Sequence, residues 1–236
     1  MSEGFSQWFS NVEYMFSAQS WQLFFQSGFK GLLQGLLFTL EASLLGLAFA
    51  LILGIVFGVF ATSQWKLARV IARVYVELFQ NTPLMLQIFF LCFGLPLVWP
   101  AARHLPLFMV LVIAVSLYHG AYISEAVRAG IQSIHRGQLE AALSQGMTYV
   151  QAMRHVIIPQ ALRVVLPPLT NQAVNLIKNT SIGVAIGAFD LMYMTKQISS
   201  MSTGPSFLVA ALLYFILCFP LAKLARYLED RAAVNN

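Results

Sequence analysis

Apolar residues in this chain gather into long runs, not into the short periodic clusters of a soluble fold. Residues 31–61 form the first run, with no charge between Ala42 and Ala61. A helix needs about 20 apolar residues to cross a bilayer, and five segments reach or approach that length. The pattern predicts spans at about 31–61, 67–98, 105–127, 164–188 and 207–227. The second is apolar enough only over Leu84–Val98 and must borrow length from Leu67–Phe79. The expected fold class is therefore all-α integral membrane with about five transmembrane helices.

The polar stretches divide the rest. Residues 1–30 hold nine aromatics interleaved with Ser, Gln and Asn, a mixture that prefers the headgroup region, so an interfacial N-terminal segment is expected ahead of the first span. No basic stretch followed by a short apolar run marks a cleaved signal peptide. A polar loop at 130–159 separates spans three and four, and 229–236 is a polar tail. Inside span one, Ala42, Gly46, Ala50, Gly54 and Gly58 recur every four residues. That spacing puts small side chains on one helical face and predicts close helix packing.

Composition sharpens this picture. Apolar residues make up 58% of the 236 and charged residues 10%, where a soluble domain carries about 25% charged; the mean hydropathy is +0.73. The chain is basic, with 14 Lys and Arg against 9 Asp and Glu, but the cations sit in short loops, which argues for membrane orientation and against nucleic-acid binding. With the N-terminus outside, Lys66, Arg69, Arg73, Arg128, Arg136, Arg154, Arg163, Lys223, Arg226 and Arg231 face the cytoplasm. Lys30, Arg103 and Lys196 face outward. The positive-inside rule favours that orientation, with a cytoplasmic C-terminus. Cys92 and Cys218 lie in apolar runs and read as small core residues.

The loop carries the most local information. Gln138–Gln145 is a good helix former, and Gly146 stands where a helix C-terminus favours a left-handed residue. Thr148 with Gln151 three residues later is a capping-box pattern for a second short helix. Pro159 is placed to stop that helix and redirect the chain. A short helix with Ala141 and Ala142 on its surface makes a compact knob for a groove on a soluble partner; an ordinary helical hairpin has the same signature.

The string Glu140-Ala141-Ala142-x-x-x-Gly146 with Ile157-Ile158-Pro159 resembles the EAA loop of ABC importer permeases, and more narrowly their polar amino-acid branch. Supporting strings are Asn81-Thr82-Pro83-Leu84, Glu125 to Ile131, Arg136-Gly137-Gln138, Ile158-Pro159-Gln160-Ala161 and Lys178-Asn179-Thr180-Ser181. The resemblance covers most of residues 30–228; Ser144-Gln145 before Gly146 departs from the family's frequent apolar residue. It implies a type I importer permease fold in a bacterial inner membrane. It also implies a second permease subunit, as a homo- or heterodimer, two ATP-binding subunits, and an extracytoplasmic amino-acid-binding protein. Gln138, Glu140, Ala141, Ala142, Gly146 and Pro159 would couple the chain to the ATPases. No GxxxxGK[ST] motif occurs in the chain, so ATP and Mg would sit on the partner subunits and this chain needs no cofactor of its own.

Polar residues at membrane depth are expensive and mark function. Glu125 and Arg128 lie three apart on one face; they can pair with each other, or Arg128 can hold a carboxylate in a bidentate bond. Lys178, Asn179, Thr180 and Ser181 interrupt span four, and either line a cavity or bond between helices. Asn81 and Gln87 flank Pro83 and could contribute from a bent second helix. Asn179 is neutral, which leans towards a neutral or acidic polar amino acid. Glu41 and Asp190 are expected near the outer interface. His104, His119, His135 and His155 form no metal or catalytic pattern, and His119 reads as a helix-contact residue. The alternative function is a carrier or channel driven by an ion gradient, whose signature would be inverted repeats; none is evident.

Overall fold

The computed structural model describes residues 13–234, and among these there are helices and turns but no strand. Helix α1 (Ala18–Leu23) is capped by Ser17, which accepts from the Ser20 N–H. A π-helical turn at Phe24–Gly28 leads straight into α2 (Phe29–Thr62). Helix is thus continuous from Ala18 to Thr62, within a candidate membrane span of Glu13–Thr62. Residues 1–12 of the expected interfacial segment lie outside the described residues. The remainder of that segment continues the span instead of forming a separate piece. It contains no proline, and Gly28 and Gly31 are pressed against Ile198 and Met194, so that tertiary contact holds the helix where a glycine could have broken it.

Helix α6 (Leu107–Gln132) runs parallel to α2 in constant register. A Cβ placed on Gly46 would lie 2.8 Å from Val115 Cγ2; on Gly54 it would lie 2.2 Å from Ile123 Cγ2, and on Gly58 2.6 Å from Val127 Cβ. Ala42 and Ala50 of the same stripe are fully buried. The expected packing face is therefore real and is used within the chain. Small residues are needed there because lipid supplies no hydrophobic drive, and van der Waals contact must replace it. Ser116 hydroxyl donates to Gly46 O at 3.2 Å and to Val112 O at 2.6 Å, so the seam carries polar glue as well.

The expected second span is not one straight helix. It divides into α3 (Lys66–Gln80), α4 (Leu84–Phe89), a π-helical turn at Phe90–Gly94 and α5 (Leu95–Val98). The two halves, Lys66–Gln80 and Leu84–Val98, meet at 99°. Pro83 lacks an N–H and disfavours a helical Thr82. Gln87 repairs the break: its Nε2 donates to Phe79 O at 2.9 Å and Thr82 O at 3.1 Å. Helix α3 has three faces. Ala68, Ala72 and Tyr75 are buried; Lys66, Arg69, Arg73 and Glu77 are exposed and polar; Leu67, Ile71, Val74 and Leu78 are exposed and apolar. That division suits a helix lying in the membrane interface. Tyr75 stacks on Phe57 at 4.1 Å and donates to Leu117 O at 2.9 Å, tying α3 to both α2 and α6.

A 3-10 turn (Pro100–His104) precedes α6. Beyond it come α7 (Arg136–Ser144), α8 (Tyr149–Ala152), a π-helical turn at Met153–Ile157 and α9 (Ile158–Asn179). A 3-10 segment (Thr180–Ile186), α10 (Leu191–Ser199) and α11 (Thr203–Val234) complete the chain. Among the described residues, three helices are long and apolar enough to cross a bilayer singly, and the bent pair would supply a fourth. The expected fourth span at 164–188 starts earlier, at Ile158, and gives up its α-helical form at Asn179. Pro167 and Pro168 lie inside it. It is held by packing: a Cβ on Gly130 of α6 would lie 2.1 Å from Val165 Cγ2, and Val174 and Ile177 pack with Cys218 of α11. Cys92 and Cys218 are both free thiols, and Cys218 is buried.

The Gly54 contact generates a test. Gly54→Ala should destabilise the folded protein by about 1–3 kcal/mol, the usual cost of overpacking. Ile123→Ala in the same chain should be less damaging than the two single changes added together, because it removes the atom the new methyl meets. Thermal unfolding of the four proteins in detergent measures the coupling; strict additivity would place the clash elsewhere.

Candidate functional site

Two regions of the chain concentrate chemistry. The first is the loop between α6 and α9. Helix α7 begins at Arg136, two residues before the expected start, and His135 caps it by accepting the Gly137 N–H at 3.1 Å. Gly146 closes it at φ +86°, the left-handed conformation that its position in the sequence called for. Gly146 N–H donates to Leu143 O and Met147 N–H to Ala142 O, satisfying carbonyls that the helix end leaves open. The capping box is complete: Gln151 N–H donates to Thr148 Oγ1 at 3.3 Å, and Thr148 N–H to Gln151 Oε1 at 2.8 Å.

Two expectations for this loop need correction. Ala142 is buried, so the knob presents Glu140, Ala141, Leu143 and Gln138 to solvent, not both alanines. Adjacent positions on a helix point about 100° apart, and Ala142 is the one that falls on the side packed against the chain. Pro159 does not stop a helix. It occupies the first turn of α9, where a missing N–H is harmless, and the preceding π-helical turn keeps the chain helical from Tyr149 through Asn179. Tyr149 and Val150 on α8 are exposed and extend the apolar part of this surface.

The second region is the polar content of α9. Asn171, Asn175 and Lys178 are exposed at spacings of four and three residues, so they share one face. Asn171 Nδ2 donates to Glu229 Oε1 at 2.8 Å. The four-residue interruption 178–181 separates by direction. Lys178 faces out; Asn179 and Ser181 are half-buried; Thr180 is fully buried and donates to Ile177 O at 2.7 Å. Ser181 donates to Lys178 O at 2.7 Å. Of the four, Asn179 bonds between helices, while Thr180 and Ser181 bond along their own chain segment.

Asn179 belongs to a network that the sequence did not reveal. Its Nδ2 lies 3.1 Å from His119 Nε2, and His119 Nδ1 lies 2.9 Å from Gln172 Oε1. A neutral imidazole protonated on Nδ1 satisfies both bonds at once. His119 is buried on α6, so it joins α6 to α9, the helix-contact role its position suggested.

The other candidates are placed as follows. Arg128 makes a bidentate pair with Glu125: Nε donates to Oε2 at 2.8 Å and Nη2 to Oε1, while Nη1 donates to Gln132 Oε1. The guanidinium is thereby engaged along its own helix, one of the two roles the spacing allowed. Gln87 holds the break at Pro83, and Asn81 ends α3 in an exposed position. Asp190 is fully buried within the chain and caps α10 by accepting the Tyr193 N–H at 2.7 Å. Glu41 is exposed on α2. No group of three His, Cys, Asp or Glu side chains among the described residues could hold a metal ion. Sequence reasoning passed over Asn171, Gln172 and Asn175; the recurrence of amide side chains at 171, 175 and 179 was the available signal.

Residues 50–234 match the model of the family described as the binding-protein-dependent transport system inner membrane component. A probable glutamine ABC transporter permease protein, GlnM of Bacillus subtilis (strain 168), is 41% identical over 201 residues, covering 84% of this chain and 92% of the relative. A crystal structure of an amino acid ABC transporter with histidines is 32% identical and superposes with a TM-score of 0.77 over 86% of this chain and 94% of that one. The MetNI methionine ABC transporter, in an inward-facing conformation, shares the fold at 19% identity, with a TM-score of 0.66 over 84% and 95% of the two chains.

The His119 network predicts a stability difference. His119→Leu leaves Gln172 and Asn179 without partners and should cost about 1–3 kcal/mol. His119→Gln can accept from one amide and donate to the other, and should cost less. Thermal unfolding of both variants in detergent reads the difference.

Proposed function

The chain belongs to the binding-protein-dependent transport system inner membrane component family, and from that membership we propose that it is the permease subunit of an ATP-driven importer of polar amino acids. The observation that carries the amino-acid reading is the combination of close amino-acid-permease relatives with a polar face on α9 at membrane depth. Exposed Asn175 and Lys178 cannot face hydrocarbon without a large penalty. A water-filled pathway between two permease subunits gives them a place. Asn179, Lys178, Ser181 and Asn175 then face the translocated molecule, with Thr180 packed behind them. Glu125 and Arg128, paired along α6, and Asn81 and Gln87, on either side of the break at Pro83, shape the pathway's surroundings.

In this reading the N-terminus is outside and the 130–159 loop lies in the cytoplasm of a bacterial cell. Gln138, Glu140, Ala141, Leu143 and Gly146 dock on ATP-binding subunits that hold ATP and Mg, Ala142 anchors the knob from within, and Pro159 begins the helix that receives the motion. An extracytoplasmic binding protein delivers the amino acid. The neutral Asn179 and the glutamine permeases among the relatives both support a neutral substrate.

The test is binding-protein-dependent ATPase activity of the reconstituted complex across single amino acids. One polar amino acid should stimulate hydrolysis. Asn179→Ala should remove that stimulation with the complex intact, and Gly146→Val should uncouple hydrolysis from transport, since a β-branched residue resists positive φ. Stimulation that survives Asn179→Ala would assign selectivity to the binding protein; transport undisturbed by Gly146→Val would remove the coupling role from the loop.

A further inference from the structure

A cavity of about 620 Å³ lies where the end of α2 meets the loop, a volume typical of small-ligand sites. Its wall comes from four parts of the chain. Ser63 and Gln64 follow α2, Arg69 projects from α3, Gln132 ends α6, and His135, Arg136 and Tyr149 come from the loop. Among the described residues that line it, none is acidic. Arg69 Nη1 donates to Ser63 O at 2.7 Å, which fixes the guanidinium against the cavity wall and leaves its other N–H groups for a ligand. Helix α7 starts at Arg136, so the positive end of its dipole adds to the two guanidinium charges.

Depth is given by α3. Trp65, 71% exposed, stands at its start, and its apolar stripe of Leu67, Ile71, Val74 and Leu78 lies beside its basic stripe of Lys66, Arg69 and Arg73. Indole rings and such two-sided helices settle at headgroup level. The cavity thus sits where lipid phosphates lie, at the end of the bundle that the basic residues place in the cytoplasm.

We propose that this cavity binds the phosphodiester headgroup of an anionic inner-leaflet lipid, with Arg69 and Arg136 as its charge partners. Basic pockets between helices on the cytoplasmic side take such headgroups. A bound headgroup bridges α3 to the loop, so the lipid fastens the loop to the membrane-embedded bundle. The inference rests on the orientation proposed above and not on the identity of the transported molecule.

The test reconstitutes the protein, with its accompanying subunits, into nanodiscs of phosphatidylcholine with or without phosphatidylglycerol, and measures retained lipid by native mass spectrometry. Wild type should retain phosphatidylglycerol preferentially. Arg69→Gln with Arg136→Gln should lower that retention about 25-fold, from about five-fold per basic residue at a membrane surface. Arg69→Lys with Arg136→Lys keeps charge and should stay near wild type, which separates charge loss from a disturbed turn at Ser63; Arg136→Gln alone leaves the Arg69 bond intact and should lower retention about five-fold. Equal retention in the Gln and wild-type proteins would overturn the site. Displacement of the lipid by millimolar inorganic phosphate would overturn the lipid assignment in favour of a soluble anion.

Discussion

Where α2 meets α6 there is no space for a side chain at Gly46, Gly54 or Gly58, and the rest of the bundle is arranged around that fact. Gly46, Gly54 and Gly58 bring the two helices so close that Val115, Ile123 and Val127 fill the space a Cβ would occupy. In lipid, this proximity is the source of the attraction, since apolar side chains gain nothing by leaving one hydrocarbon for another. The pair then supplies a fixed surface for later elements. Tyr75 of α3 lies on Phe57 and reaches over Gly120, where a Cβ would come within 2.5 Å of its hydroxyl. Gly130 admits Val165 of α9 in the same manner. Small residues on α2 and α6 are thus spent on both of their contact faces.

The second constraint is that no water at membrane depth can satisfy a stray polar group. The chain meets it with side chains at several breaks in the backbone ladder. Gln87 donates across the break at Pro83. Asp190 caps α10, and Thr39 of α2 accepts the Leu191 N–H at 3.0 Å, so the start of that helix is tied to the central pair. His119 joins two amides on α9. Against this background, the exposed Asn175 and Lys178 stand out, because they face away from the bundle. Under the importer reading they face the pathway between two permease subunits.

What could be read from the sequence was whatever depended on local spacing. The four-residue recurrence of small side chains, the left-handed Gly146 and the Thr148 cap are each decided within one or two helical turns, and each stands in the structure as the residues require. Directions that depend on distant neighbours were not legible. Ala141 and Ala142 have the same chemistry, and only the packing of α7 on its own chain separates them. Pro159 can end a helix or begin one, and the choice is made by the π-helical turn before it. Nothing near Asp190 in the sequence shows that the chain buries it. The His119 network joins residues 53 and 60 positions apart, beyond any periodicity.

The continuity from Tyr149 to Asn179 links the two candidate regions mechanically. These 31 residues are helical throughout, with a π-helical turn near the start, and at about 1.5 Å per residue they span roughly 45 Å. A loop joined to the membrane by flexible linkers would dissipate a push from a docked partner; a helix moves as a body. Pro167 and Pro168 each remove a backbone hydrogen bond at the middle of α9, and they are the compliant point along it. Displacement at α8 therefore swings the half of α9 before that pair against the half that carries Asn175, Lys178 and Asn179. The His119 bonds to Gln172 and Asn179, both beyond the prolines, hold the outer half of α9 to the rigid α2–α6 pair. Under the importer reading, switching access means bending α9 at its prolines while those two bonds keep the polar face in place.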